Sequence, residues 1–260
     1  MTRVAVVGAG IGGLTLGIAL RRAGVAVEVY ERADELREVG AAVAISANAT
    51  RVLARLGVGP ALEAAGTQPT ELVYRDGRTG ERVAAHPGAA SYRARFGAPY
   101  LGIHRVDLQQ TLARAFGDEH LHLGRAVHAV GGAAQGATLT LDGGEIVRAD
   151  VLVGADGVHS IVREHVAGPG HRPVYSGTTG FRGLVPRDAL PTLPDPLAIQ
   201  FWMGPHAHLL HYALGGPRSG DDTVNFLAVL CGPDTWEGGP RPGADGELLA
   251  GFAGWHPAVT

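Results

Sequence analysis

Short apolar runs alternate with glycine-rich breaks along the first part of the chain. Arg3 to Val7 (RVAVV) is apolar and β-branched, as a strand buried on both faces requires. Gly8-Ala9-Gly10-Ile11-Gly12-Gly13 follows, and then Leu14, Ile18 and Leu20 place apolar side chains at helical spacing up to Gly24, a C′ stop. Val25 to Tyr30 reads as a second strand, closed by Glu31. The pattern predicts strand, turn, helix, strand.

Further along, Glu38 to Gly57 reads as an extended glycine- and alanine-rich loop followed by a helix, with Asn48 as its N-cap and Gly57 as its C′ residue. Glu71 to Val83 and Ala137 to Val147 alternate in hydrophobicity around Asp-Gly, Thr-Gly and Gly-Gly pairs, the signature of hairpins. Between them Ile103 to Phe116 is an amphipathic helix. Asp150 to Glu164 is again strand, turn and helix, placed late enough to return to the first sheet. From Gly177 the runs TTGFRGLVP, LAIQFWMG, HAHLLHYAL and VNFLAVL predict an antiparallel sheet, and Gly232 to Gly246 a loop. The chain contains no repeats and no heptads.

The first turn fits G-x-G-x-x-G between a strand and a helix. Gly8 permits the tight turn, Gly10 lets a pyrophosphate approach the backbone, and Gly13 lets the helix pack on the strand. Glu31, 18 positions beyond Gly13, is placed to accept hydrogen bonds from ribose hydroxyls and to repel a 2′-phosphate. On this stretch alone NAD and the ADP half of FAD fit equally well, so an NAD-dependent dehydrogenase stands beside a flavoprotein.

Composition narrows the field. A net charge of −3 offers no basic footprint for nucleic acid. All 22 basic residues are arginine, which removes a lysine Schiff base and a Walker-type lysine. The single cysteine, Cys231, excludes an internal disulfide and a cysteine-based zinc cage, and no metal site is expected. Val4 to Leu20 is uncharged, but its five glycines and its shortness argue against a signal peptide or a span. A cytoplasmic protein that does not enter the membrane is the expectation.

Three stretches together resemble a known family. Val7 to Gly13 with Glu31, the HRVDL segment with Arg105, and GADGVHSIVR (Gly154 to Arg163) are similar to the flavin-dependent aromatic hydroxylases, single-component FAD monooxygenases related to p-hydroxybenzoate hydroxylase. GPHAHLLHYALGG (Gly204 to Gly216) is most like the salicylate hydroxylase, 3-hydroxybenzoate 6-hydroxylase and 6-hydroxynicotinate 3-monooxygenase group.

The resemblance implies an α/β fold: a Rossmann-like, glutathione-reductase-like FAD-binding βαβ sheet with an inserted antiparallel substrate sheet, C-terminally truncated. Residues 1–70 and 100–175 would form the FAD-binding domain, 71–99 a hairpin insertion, and 176–260 part of the substrate domain. FAD would be held by Gly8, Gly10, Gly12 and Gly13, by Glu31 and Arg32, and by Arg105 and Val127. Asp156 and Gly157 would serve both FAD and a transient nicotinamide; a plain turn before a helix is their bland reading.

In the implied reaction NADH or NADPH reduces FAD, O2 gives a flavin C4a-hydroperoxide, and its terminal oxygen attacks a phenolic or hydroxylated aromatic or heteroaromatic acid. His208 and Tyr212, four apart on a strand and so on one face, would line the substrate cavity, His208 as base or proton relay and Tyr212 as hydrogen-bond partner. His211 would face the other way. Two departures accompany the likeness. Ala44 stands where 6-hydroxynicotinate 3-monooxygenase has a polar residue, and no Gly-Asp-Ala-Ala-His segment is found. The alternatives are therefore a flavoprotein acting on a non-aromatic ring, or an FAD-binding module without turnover. A monomer or homodimer is expected.

Overall fold

The computed structural model describes residues 2–36, 42–133, 136–171, 173–215, 223–232, 241–244 and 246–260. It is a mixed α/β fold with one parallel sheet and several antiparallel ones. The chain divides into two compact units. The first comprises residues 1–39, 53–58 and 106–174, and the second residues 40–52, 59–105 and 175–260.

The first unit is built on a parallel sheet in the order Val151–Gly154, Arg3–Val7, Ala26–Tyr30, Leu121–His122. Arg3–Val7 is central, with Val6 level with both Val29 and Val153. Val6 and its neighbour Val29 on the adjacent strand are fully buried, which explains the unbroken apolar runs. Helix Ile11–Arg22 packs against the helix that ends at Phe116: a Cβ on Gly17 would lie 2.7 Å from the Phe116 ring. Burial of such large side chains stabilises by roughly 1.5–3 kcal/mol each. A three-stranded antiparallel sheet, Ile146–Ala149, Gly136–Leu141 and Val127–Ala133, closes a second cluster around Tyr30, Leu139 and Leu141.

The second unit carries a six-stranded sheet. Its order is Thr178–Pro186, Thr223–Cys231, Ala207–Leu214, Ile199–Met203, Glu71–Asp76, Arg82–Pro87. All neighbours are antiparallel except Ile199–Met203 with Glu71–Asp76, which run parallel with Ile199 opposite Leu72. The four late strands predicted from hydrophobicity all form. A small sheet of Ala42–Ile45, Leu101–His104 and Gly66–Thr67 packs on one face of the large one, where Leu72, Ile199, Tyr212 and Leu214 are buried with Ala42 and Ala44.

Four expectations change. The hairpin over 71–99 is no separate insertion: its first strand pairs with Ile199–Met203, so it shares a sheet with the residues after 176, and the expected boundaries at 70 and 100 move. Residues 42–45 of the expected loop form a strand, because their partner Leu101–His104 satisfies them from outside the segment. Ile103 and His104 close that partner strand, and the helix starts only at Arg105. Asn48 is not the N-cap. The helix begins at Ala47, Ser46 stands before it with its carbonyl accepting from Thr50 N–H at 3.0 Å, and the Ser46 hydroxyl donates to the Asn48 side chain. Gly57 does end the helical segment, with φ +83°. Most of the expected loop over 232–246, and Gly216, lie outside the described residues.

Candidate functional site

In the first unit, the turn after Arg3–Val7 separates its glycines by role. Gly8 sits at φ +102°, where a Cβ would fall 2.4 Å from the Ala155 carbonyl oxygen; a Cβ on Gly13 would fall 1.9 Å from the Gly8 oxygen. These two hold the fold together. Gly10 and Gly12 would place a Cβ in open space, with no atom within 4 Å. The helix that follows has Gly10 at its N-cap and no side chain capping it, so its first-turn N–H groups face that open space as ready anion donors. A pyrophosphate fits this cradle.

Glu31 stitches the turn to the second strand. Its Oε2 accepts from Ala9 N–H at 2.8 Å and its Oε1 from Ala33 N–H at 3.0 Å. Each oxygen keeps a further lone pair for a ribose hydroxyl. Gln109 reaches the same turn from the helix Arg105–Phe116 and donates through Nε2 to the Ala9 carbonyl at 3.1 Å. Its Oε1 is buried with no partner among the described residues. Sequence reasoning passed over Gln109; the available signal was an uncharged polar residue on the buried side of that helix.

The structure brings the Asp156–Gly157 turn against the glycine turn. Ala155 N–H donates to the Val7 carbonyl at 2.7 Å, and the Asp156 Cα lies 3.1 Å from where a Gly8 Cβ would stand. Ser160 N-caps the helix Ile161–Ala167, its Oγ accepting from Arg163 N–H at 2.9 Å, and the Asp156 carboxylate braces that cap, accepting from Ser160 Oγ at 2.6 Å and Ile161 N–H at 2.9 Å. The bland reading of this motif therefore describes its hydrogen bonds, while Gly157, at φ +81°, leaves open space above it. Val127 packs its side chain on the Leu139–Leu141 cluster, Arg32 is exposed, and Arg105 opens its helix half-buried.

In the second unit, strand parity sorts the side chains of Ala207–Leu214. His208, Leu210, Tyr212 and Leu214 share one face, level with Met203, Phe201 and Ile199 of the neighbouring strand. His208 is exposed, and Tyr212 is buried with its ring over Gly102, where a Cβ would meet it at 2.8 Å. Burial, then the nearby Tyr100, push the Tyr212 phenol above the ordinary tyrosine range; Arg182 opposes them. His211 faces the other way and accepts a hydrogen bond from Trp202 Nε1 at 2.9 Å.

A family described as the FAD-binding domain matches residues 1–213. The chain belongs to it. The chain is 38% identical over 262 residues to the 3-amino-4-hydroxybenzoate 2-monooxygenase PtmB3 of Streptomyces platensis, a match that covers 99% of this chain and 64% of that protein. It is 33% identical to a 3-hydroxybenzoate 6-hydroxylase of Klebsiella oxytoca, over 98% of this chain and 64% of that one. Among solved structures, a variant of Klebsiella pneumoniae HpxO complexed with FAD superposes with a TM-score of 0.84 at 27% identity, covering all of this chain and 65% of that one. The resemblance read from the motifs is thus borne out, as is the fold class. The chain spans just under two-thirds of the length of these relatives. Among its described residues no helix is long and apolar enough to cross a membrane, and no group of three acidic, histidine or cysteine side chains could hold a metal ion.

Proposed function

We propose that the protein is an FAD-dependent monooxygenase that hydroxylates a phenolic or hydroxylated aromatic or heteroaromatic acid, with NADH or NADPH and O2 as co-substrates, in the cytoplasm. The observation that carries this reading is the likeness to a 3-amino-4-hydroxybenzoate 2-monooxygenase over 99% of the chain. The open cradle at Gly10 and Gly12 supports the cofactor assignment independently of that likeness.

Bound FAD supplies the redox chemistry and the activation of oxygen, work that side chains cannot do. Gly10, Gly12 and the first-turn N–H groups receive the pyrophosphate, and Glu31 accepts from the ribose. Gln109 and Glu31 brace Ala9 from two sides, fixing the turn before the ligand arrives. Asp156 orders the second turn by bonding Ser160 and the first N–H of its helix, which leaves Gly157 free to approach the cofactor.

On the sheet, division of labour follows from burial. Tyr212 stays a neutral phenol throughout the physiological range, so it can donate a hydrogen bond and orient the substrate but cannot serve as base. The base is His208, which takes the ring-hydroxyl proton on an imidazole nitrogen and makes the ring more electron-rich.

The test begins with the 260-residue chain, incubated with FAD and passed through gel filtration. A flavin absorption spectrum that stays with the protein is the expected result, followed by NAD(P)H oxidation stimulated by hydroxybenzoates and a product one oxygen heavier. A folded but colourless protein overturns the cofactor assignment for this chain. A His208→Ala variant that hydroxylates at the wild-type rate across pH overturns the base.

A further inference from the structure

Strand register lays out the face of the six-stranded sheet that carries His208 and Tyr212. Leu210, between those two in the chain, is level with Leu227, and Leu227 is level with Arg182 on the edge strand Thr178–Pro186. Toward the other edge the same row runs through Phe201 and Tyr74, whose rings stack with centroids 4.8 Å apart. Residues level with one another share a face, so Arg182 leaves the sheet on the side of His208 and Tyr212. The alternation along its own strand agrees. Arg182 is exposed, while a Cβ on Gly183 would meet the Phe226 ring at 2.4 Å on the opposite face.

Among the described strand residues on this face, Arg182 and Asp76 alone carry a formal charge when histidine is neutral. Asp76 lies four strands away, and its Oδ1 accepts from Arg78 N–H at 2.9 Å and Thr79 N–H at 2.8 Å in its own turn. Arg182 has no hydrogen-bond or ion-pair partner among the described residues. Its charge nevertheless reaches Tyr212, where it opposes the rise that burial and Tyr100 impose on the phenol. An edge arginine ordinarily guards against edge-to-edge pairing, a task that needs a charge but no particular neighbours. This one looks along an apolar floor of Leu227 and Leu210, with a histidine one row to one side and a tyrosine one row to the other. Two strand spacings, about 10 Å, separate its strand from theirs. The long arginine stem and a single aromatic ring together bridge that span.

We propose that Arg182 selects the substrate by charge: its guanidinium pairs with the carboxylate of the aromatic acid, whose ring lies over Leu227 and Leu210 with its hydroxyl toward His208 and Tyr212. The inference rests on the reading of that face as the substrate site. It supplies what His208 and Tyr212 do not, a group that tells an acid from its neutral analogue. A carboxylate brought over an apolar floor loses water and needs a cation in its place. A guanidinium answers with two parallel hydrogen bonds, which fix the direction of the ring as well as its charge.

The experiment measures, by titration calorimetry on the 260-residue chain with FAD present, the binding of the 3- and 4-hydroxybenzoates and of the matching hydroxybenzamides. Each pair shares its ring and hydroxyl and differs in charge. The parent is expected to bind the acid about tenfold or more tighter than the amide. Arg182→Met should remove that preference by weakening the acid alone, with the amide affinity and the thermal midpoint kept, since the side chain is exposed and has no described partner to lose. Arg182→Lys should restore part of the preference, because it keeps the charge and loses the fork. Added salt should weaken the acid and leave the amide unmoved. Equal affinity for acid and amide in the parent overturns the proposal and leaves a phenolic substrate in place. A preference for the acid that survives in Arg182→Met overturns it too, with the substrate site intact. Binding of neither ligand by the parent overturns the proposal together with the substrate reading beneath it.

Discussion

At the glycine turn of the first unit the proposed working surface is backbone: two glycines are held where no side chain fits, and two leave open space beside N–H groups. On the six-stranded sheet of the second unit the proposed working surface is side chain, and a shift of one strand position changes which face a residue presents. His211 is buried, neutral and bonded to Trp202, while Tyr212, its neighbour in the chain, lies over Gly102 on the opposite face. A backbone site tolerates many surroundings but not a Cβ. A side-chain site tolerates backbone variation but not a slip of register.

Replacing Gly13 by alanine is the strongest way to break that comparison. Its Cβ would overlap backbone that cannot swing aside, so we expect a loss of about 3 kcal/mol or more in urea unfolding, or no soluble protein. Gly10→Ala and Gly12→Ala should stay within about 1 kcal/mol of the parent and lose retained FAD instead. If Gly10→Ala destabilises as much as Gly13→Ala, the division of the glycines is wrong.

Next in size is a pH effect on the sheet. The folded-state pKa of His211 is lowered to about 4, below its unfolded value, so the stability it contributes is complete above about pH 6.5 and is lost as pH falls toward 4. The slope approaches about 1.4 kcal/mol per pH unit. His211→Gln keeps an acceptor for Trp202 and should flatten this part of the curve; parallel unfolding midpoints for parent and variant that fall equally with pH would count against it.

Asp156→Ala sharpens the comparison at the second turn, where a side chain does hold the backbone. Loss of the carboxylate that braces the Ser160 cap and accepts from Ile161 N–H should cost about 1–2 kcal/mol, read from the thermal midpoint, with weaker FAD retention alongside. The smallest effect is expected for Tyr212→Phe. The ring stays packed over Gly102, so stability should change by less than about 1 kcal/mol, while the affinity for a hydroxybenzoate falls. An unchanged affinity would remove Tyr212 from substrate binding.

How legible each region was in the sequence follows from the range of its interactions. The opening strand, turn and helix, and the alternating strands after Gly177, carry their signals within a few residues, and the structure contains them. Ala42–Ile45 looked like a loop because Ala-Val-Ala-Ile shows no alternation, and its partner strand is supplied from 101–104. Ile103 looked helical because a four-residue apolar strand runs without a break into the helix at Arg105. The place of the 71–87 hairpin depends on pairing with residues 199–203, which no local pattern announces. Gln109 went unnoticed for the same reason, since what makes it significant is a carbonyl 100 positions earlier.

That long-range pairing sets the order in which the protein can be made. When the ribosome has released Glu71–Asp76, one edge of the strand is still without its neighbour, and it stays so until Ile199–Met203 emerges. The first strand of the nucleotide sheet likewise waits for Val151–Gly154. Both sheets are therefore completed late, with apolar edges open in the nascent chain. Slow folding, and a need for protection against edge-to-edge association during synthesis, are built into the strand order itself.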